Sequence, residues 1–180
     1  MRSKDRGAGG TVSNMIEERL RLLEDREEIV QLKARYCNLN DGGWREQGPT
    51  HAHVEELKAL FVEDAEWDGG PIVGRATGRG EIGVLFSTFQ TIPFVIHNVM
   101  NPVIEISGNR ARGNRHAVIA ATNPEGQALW TFGIYNEEYV HTAEDWRYKS
   151  LVFIPATNVP YELGWGKGQS RLQAGRGQRG

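Results

Sequence analysis

Residues 95–121 decide how this chain is read: Val95-Ile96-His97-Asn98-Val99-Met100-Asn101-Pro102-Val103-Ile104-Glu105-Ile106, then Ser107-Gly108-Asn109-Arg110, then Ala111-Arg112-Gly113-Asn114-Arg115-His116-Ala117-Val118-Ile119-Ala120-Ala121. Apolar, often β-branched residues at period two on both sides of a Gly-Asn pair mark a β-hairpin. With Gly108-Asn109 as a two-residue turn, Ser107 faces Arg110, Val103 faces Asn114 and Asn101 faces His116. Side chains alternate along strands, so this register puts His97, Val99, Asn101, Asn114, His116 and Val118 on one face. Met100, Ile104, Ile106, Ala111, Ala117 and Ile119 take the other. Two histidines and two asparagines among valines describe either a lined pocket or a solvent-facing surface, and periodicity leaves both open. A bulge would flip part of this set to the opposite face.

Further along the chain the period-two pattern returns. Leu129 to Val140 and Trp146 to Ile154 form a second long hairpin. Towards the N-terminus the period changes to that of helices. Ser13 or Asn14 caps a helix, with Glu17 placed for a capping box, and Ile16, Leu20, Leu23, Ile29, Leu32 and Tyr36 recur at helical spacing. Asp41-Gly42-Gly43 ends it. A short helix from Val54 to Phe61, a strand at Ala65 to Asp68, a Gly69-Gly70-Pro71 turn and a third helix from Glu81 to Phe89 follow. Three helices followed by an antiparallel meander is an α+β arrangement, here a cone in which a curved antiparallel sheet wraps N-terminal helices around one pocket.

Length and composition set the limits. At 180 residues, 39% of them apolar, the chain suits one domain with one core. A net charge of −2, with Lys and Arg scattered among carboxylates, argues against nucleic acid as a partner. The chain contains neither an apolar run long enough to span a membrane nor a secretory h-region. The lone Cys37 cannot pair internally and suits a reducing cytoplasm. Residues 1–13 and 166–180, rich in Gly, Arg and Gln, are expected to be flexible tails on a domain at 14–165.

Taken in order, the motifs resemble the SnoaL-like branch of the nuclear transport factor 2-like superfamily over residues 26–154. They are Arg35-Tyr36 with Asp41 five residues after the Tyr, Leu60-Phe61-Val62-Glu63-Asp64-Ala65-Glu66-Trp67, and His97 leading to Asn101-Pro102-Val103-Ile104-Glu105. Gly108 to Gly113, Gly133 to Tyr139 and Trp146-Arg147-Tyr148-Lys149-Ser150 complete the series. Enzymes on this scaffold, among them dehydratases of scytalone and bile acids and a hexachlorocyclohexane dehydrochlorinase, share an Asp at the end of the first helix and a His on the sheet. The resemblance implies a cofactor-free, metal-free elimination, hydration or isomerisation in which His97 removes a proton and Asp41 orients it. Tyr36 and His116 are the further catalytic candidates. Asn101, Tyr135, Trp67, Asn114, Val99 and Val118 are the substrate-binding candidates. The expected substrate is small, apolar and ring-bearing, and the expected assembly is a homodimer or homotrimer.

Two departures bear on the substrate: Leu151 stands where many relatives carry an Arg, and Gly43 to His53 is an insert near the pocket mouth.

The residue types suit the chemistry. An imidazole titrates close to neutral pH, and a carboxylate on its other nitrogen fixes the tautomer and stabilises the imidazolium. Asp41 before two glycines is also an ordinary turn former. The same cone also serves as a non-catalytic small-molecule binding protein or as the structural small subunit of a ring-hydroxylating dioxygenase. Other cues carry less. His51-Ala52-His53 with Glu55 and Glu56 reads as surface rather than a metal site, and the glycines of 69–83 read as turns without phosphate-loop spacing.

Overall fold

A computed structural model describes residues 7–42 and 53–167. The expected tails therefore lie mostly, and the Gly43 to His53 insert almost entirely, outside the described residues. Helix α1 spans Gly7–Asn40. After the insert come α2 (Val54–Lys58), β1 (Phe61–Asp68), the single turn α3 (Gly70–Val73), β2 (Arg75–Thr77) and α4 (Arg79–Ser87). A 3-10 turn at Thr88–Thr91 leads to β3 (Phe94–Ser107), β4 (Arg110–Thr122), β5 (Ala128–His141) and β6 (Trp146–Pro160), and the short α5 (Gly164–Lys167) follows.

The six strands form one curved, open sheet in the order β2-β1-β6-β5-β4-β3. Strands β3 to β6 make the expected antiparallel meander. The sheet as a whole is mixed, because β1 runs parallel to β6. That corrects the wholly antiparallel expectation, and its cause lies in the connectivity. Strand β1 is entered from α2 and is not joined to β6 by a hairpin: α3, β2, α4 and the whole β3–β5 meander intervene, so no tight turn forces the pair antiparallel. β1 is also longer than expected and starts at Phe61, which is fully buried and so belongs to the sheet rather than to α2.

The inner face of the sheet closes over the second half of α1. Ile29, Leu32 and Tyr36, one helical face, are buried against Phe61, Tyr148, Phe86 and Tyr135. The Tyr36 ring meets all of the last four edge-on or tilted at 5.8–6.4 Å. The first half of α1 behaves differently. The helix begins before the expected cap, with Ser13 donating to Glu17 inside it at 2.9 Å. Met15, Ile16, Leu20 and Leu23 stand exposed, so this half is an arm rather than a core element. No helix of the described residues is long and apolar enough to cross a membrane.

The first hairpin holds a decisive irregularity. From the turn inward the register is as expected, Ser107 to Arg110 through Val103 to Asn114. Between Val103 and Met100 it slips, so that Met100, not Asn101, faces His116. Asn101 and Pro102 together oppose Arg115. Asn101 takes φ 56, a left-handed conformation that asparagine tolerates better than most residues, and Pro102 has no N–H to give a ladder. This bulge inverts the facing of everything from Met100 back to Phe94.

Candidate active site

Asp41 stands one residue beyond the end of α1. Its N–H still donates to the Cys37 carbonyl at 2.8 Å, and Gly42, at φ 81, turns the chain away as helix C-termini commonly do. The carboxylate is thereby aimed at β3, the open edge of the sheet. On an edge strand every second N–H points away from its neighbour. Asp41 Oδ2 accepts the one from His97 at 3.0 Å, and Oδ1 meets the His97 ring at Nδ1, 2.5 Å away. Both groups are withdrawn from water: Asp41 is 4% exposed and the His97 side chain 9%. With Nδ1 engaged by a carboxylate, Nε2 is the nitrogen left to meet a substrate.

The pair borders a cavity of about 170 Å³ between sheet and helices. Its walls are largely apolar, with Trp67, Phe89, Ile92, Val95, Ile119 and Phe153 foremost. Polar groups reach it at few points. The Tyr36 hydroxyl accepts the Trp67 indole N–H at 3.0 Å. Burial pushes the Tyr36 phenol far above its ordinary pKa, so it keeps its proton and can act as a donor. Tyr135 also lines the cavity, and burial holds it protonated in the same way. Asn40, Thr131 and Asn158 lie on the wall as well, Asn158 Nδ2 donating to Thr131 Oγ1 at 2.6 Å.

The structure thus brings together five of the expected residues: Asp41, His97, Tyr36, Tyr135 and Trp67. The remaining five do not join them. Val99 faces inward but packs against the core beyond the cavity wall. Asn101, Asn114 and His116 are exposed on the outer face, Asn101 Nδ2 lying 3.3 Å from His116 Nδ1, and Val118 falls on that face with them by alternation. The expectation that all six hairpin residues share one face is therefore corrected. The bulge turned His97 and Val99 inward and left the others outside. Asn158 escaped notice because β6 was expected to end at Ile154, four residues before it. Thr131 and Asn40 carry no local signal of their own.

Beneath the cavity floor lies a charged network that no sequence motif announced. Lys33 and Glu137 are fully buried and 2.8 Å apart, and Arg115 Nε donates to the second Glu137 oxygen at 2.9 Å. Tyr139 donates to that same oxygen at 2.5 Å. The Lys33 ammonium also lies over the Tyr135 ring, 3.3 Å from its centroid. Burial pushes Glu137 upward, but the charges of Lys33 and Arg115 outweigh it and hold the carboxyl below its usual range. Close by, burial pushes the Cys37 thiol up to about 11, which leaves it an inert packing group.

A model of the SnoaL-like domain matches residues 21–152. No curated protein sequence matches the chain. Among solved structures, a hexachlorocyclohexane dehydrochlorinase, LinA type 2, superposes with a TM-score of 0.69 at 20% identity, covering 78% of this chain and 91% of its own. A scytalone dehydratase-like protein from Novosphingobium aromaticivorans gives 0.63 at 22% identity, over 84% of this chain and 91% of that one. An NTF2-like protein with a cystatin-like fold from the same organism gives 0.61 at 26% identity, over 78% and 88%.

Proposed function

The chain belongs to the SnoaL-like domain family, and from that premise we propose that it is a cofactor-independent lyase or isomerase working by general base catalysis. The observation that carries this reading is the buried contact between Asp41 and His97 Nδ1 at the wall of an apolar cavity. In the proposed reaction His97 Nε2 takes a proton from an acidified C–H of the substrate. The C–H electron pair becomes the new double bond, and a hydroxide or halide leaves the adjacent carbon. Asp41 keeps the imidazole in the tautomer that carries a lone pair on Nε2 and balances the imidazolium charge once the proton has arrived. The Tyr36 hydroxyl, protonated and facing the cavity, is suited to hydrogen-bond the developing oxyanion or departing group.

The cavity wall suggests the substrate class. Aromatic and branched side chains with a few polar points accommodate a small, mostly apolar ring. Neighbours on this fold include a dehydrochlorinase and a dehydratase-like protein, which supports elimination over other base-catalysed steps. A simple binding protein has no need to orient a histidine with a buried carboxylate. A dioxygenase subunit has no need of an apolar cavity bordered by such a pair. A cytoplasmic homodimer or homotrimer remains part of the proposal.

The deciding experiment incubates the purified protein with chlorinated cyclohexanes and with hydroxylated ring ketones, following halide release and the absorbance of the new double bond. Turnover by the wild type that is abolished in His97→Ala and strongly reduced in Asp41→Asn is expected. Equal turnover by all three proteins would remove the dyad from the mechanism. Saturable binding with no turnover would make the chain a carrier.

A further inference from the structure

A second constellation lies away from the cavity, where α1 passes the hairpin between β5 and β6. Asp25 and Glu28, three residues apart on one helical face, converge there with His141 from the end of β5. One oxygen or nitrogen from each of the three lies within 4.8 Å of the other two. None of the ion pairs among the described residues joins His141 to either carboxylate, so the three groups frame a common point instead of satisfying one another.

Two of the three are already oriented. His141 Nδ1 lies 2.7 Å from the Thr142 carbonyl oxygen. A carbonyl can only accept, so Nδ1 carries the proton, and in the neutral ring Nε2 presents its lone pair. Asp25 Oδ1 accepts the Trp146 indole N–H at 2.8 Å, which leaves Oδ2 available. The Trp146 ring also packs edge-on against the His141 ring, at 5.1 Å and 90°, so one buried indole braces both groups. A backbone carbonyl behind a histidine and a fixed donor behind a carboxylate are the outer partners that metal ligands ordinarily have.

We propose that Asp25, Glu28 and His141 form a binding site for a divalent transition metal of the Zn²⁺ class, one that pins α1 to the β5–β6 hairpin. One imidazole and two carboxylates suit Zn²⁺, with bonds of roughly 2.0–2.2 Å and water completing the shell. Glu28 is exposed and free to swing inward, closing the present spacing onto an ion. The site is separate from the cavity and independent of the chemistry proposed there. Neither Asp25 nor His141 marks the site in sequence, because 116 positions separate them and each looks like an ordinary surface residue.

The test uses tag-free, chelator-treated full-length protein titrated with ZnCl₂ by calorimetry and followed by thermal melting. One Zn²⁺ per chain and a rise in Tm reversed by EDTA are expected, with affinity at least about tenfold weaker in Glu28→Gln and in His141→Ala, since losing even a partner that stands behind a metal ligand costs that much. Glu28 is exposed, so its variant folds whatever becomes of His141. Absence of saturable binding, or binding unchanged in both variants, would overturn the proposal.

Discussion

One carboxylate, Asp41, holds His97 at two points, the backbone N–H at 3.0 Å and the ring Nδ1 at 2.5 Å. The side chain that sets the tautomer therefore also fixes the main chain from which the ring hangs. Rotation of the imidazole and displacement of β3 are opposed by the same group.

Asp41→Asn separates these two duties. An amide can still accept the His97 backbone N–H through its oxygen, but it then offers an N–H to Nδ1. That forces the ring proton onto Nε2, where a base needs a lone pair. We expect kcat/KM to fall by about 10²-fold or more, within the span of general base contributions, while circular dichroism and Tm stay near wild type. A small change in rate with a large fall in Tm would assign Asp41 to stability alone.

Tyr36→Phe removes the acceptor of a buried indole N–H. An unsatisfied buried donor costs about 1–3 kcal/mol, which urea denaturation will report. If the hydroxyl also assists the leaving group, kcat drops while KM changes little.

Glu137→Gln leaves Lys33 and Arg115 as buried, uncompensated cations. Breaking such a pair by removing one partner costs about 3–5 kcal/mol. The sign of the pH effect follows from the direction of the shift. Glu137 has a folded pKa below its ordinary value of about 4.5. Its contribution is therefore complete above that pH and is lost as pH falls through the folded value. Wild-type stability should decline as the medium is acidified below about pH 4, and the decline should be shallower in Glu137→Gln, which starts out less stable at pH 7. Parallel acid denaturation curves for the two proteins would contradict this.

His116→Ala serves as a control with content of its own, because that side chain lies on the outer face. Activity of His116→Ala should remain within about twofold of wild type, since surface changes of this kind seldom reach a site they do not touch.

Much of this was legible in the sequence. Turn chemistry at Ser107 to Arg110 gave the hairpin register, and helical spacing gave the buried face of α1 at Ile29, Leu32 and Tyr36. Order along the chain made Asp41 and His97 a pair, although neither is distinctive alone. What escaped is physically specific. Pro102 inside a strand is the available sign of a bulge, and without that bulge plain alternation puts His97 and Val99 on the same face as His116 and Asn101. The Lys33–Glu137–Arg115 network depends on contacts across about a hundred positions and leaves no local pattern. β1 was cut short because Phe61 is as apolar as a helix terminus would require, and only tertiary packing decides between the two.

The bulge at Asn101 and Pro102 works on β3 much as a frameshift works on a reading frame. Upstream of it the same letters are read on the opposite side of the sheet, so the cavity receives His97 because of a count and not because of an alphabet. Two deletions of equal size therefore have opposite meanings. Removing Pro102 restores a one-to-one ladder and leaves His97 opposite Ile119, still turned towards Asp41. Removing Asn98 moves His97 into an outward position and empties the site of its base, although every residue of the proposed machinery is still present in the chain.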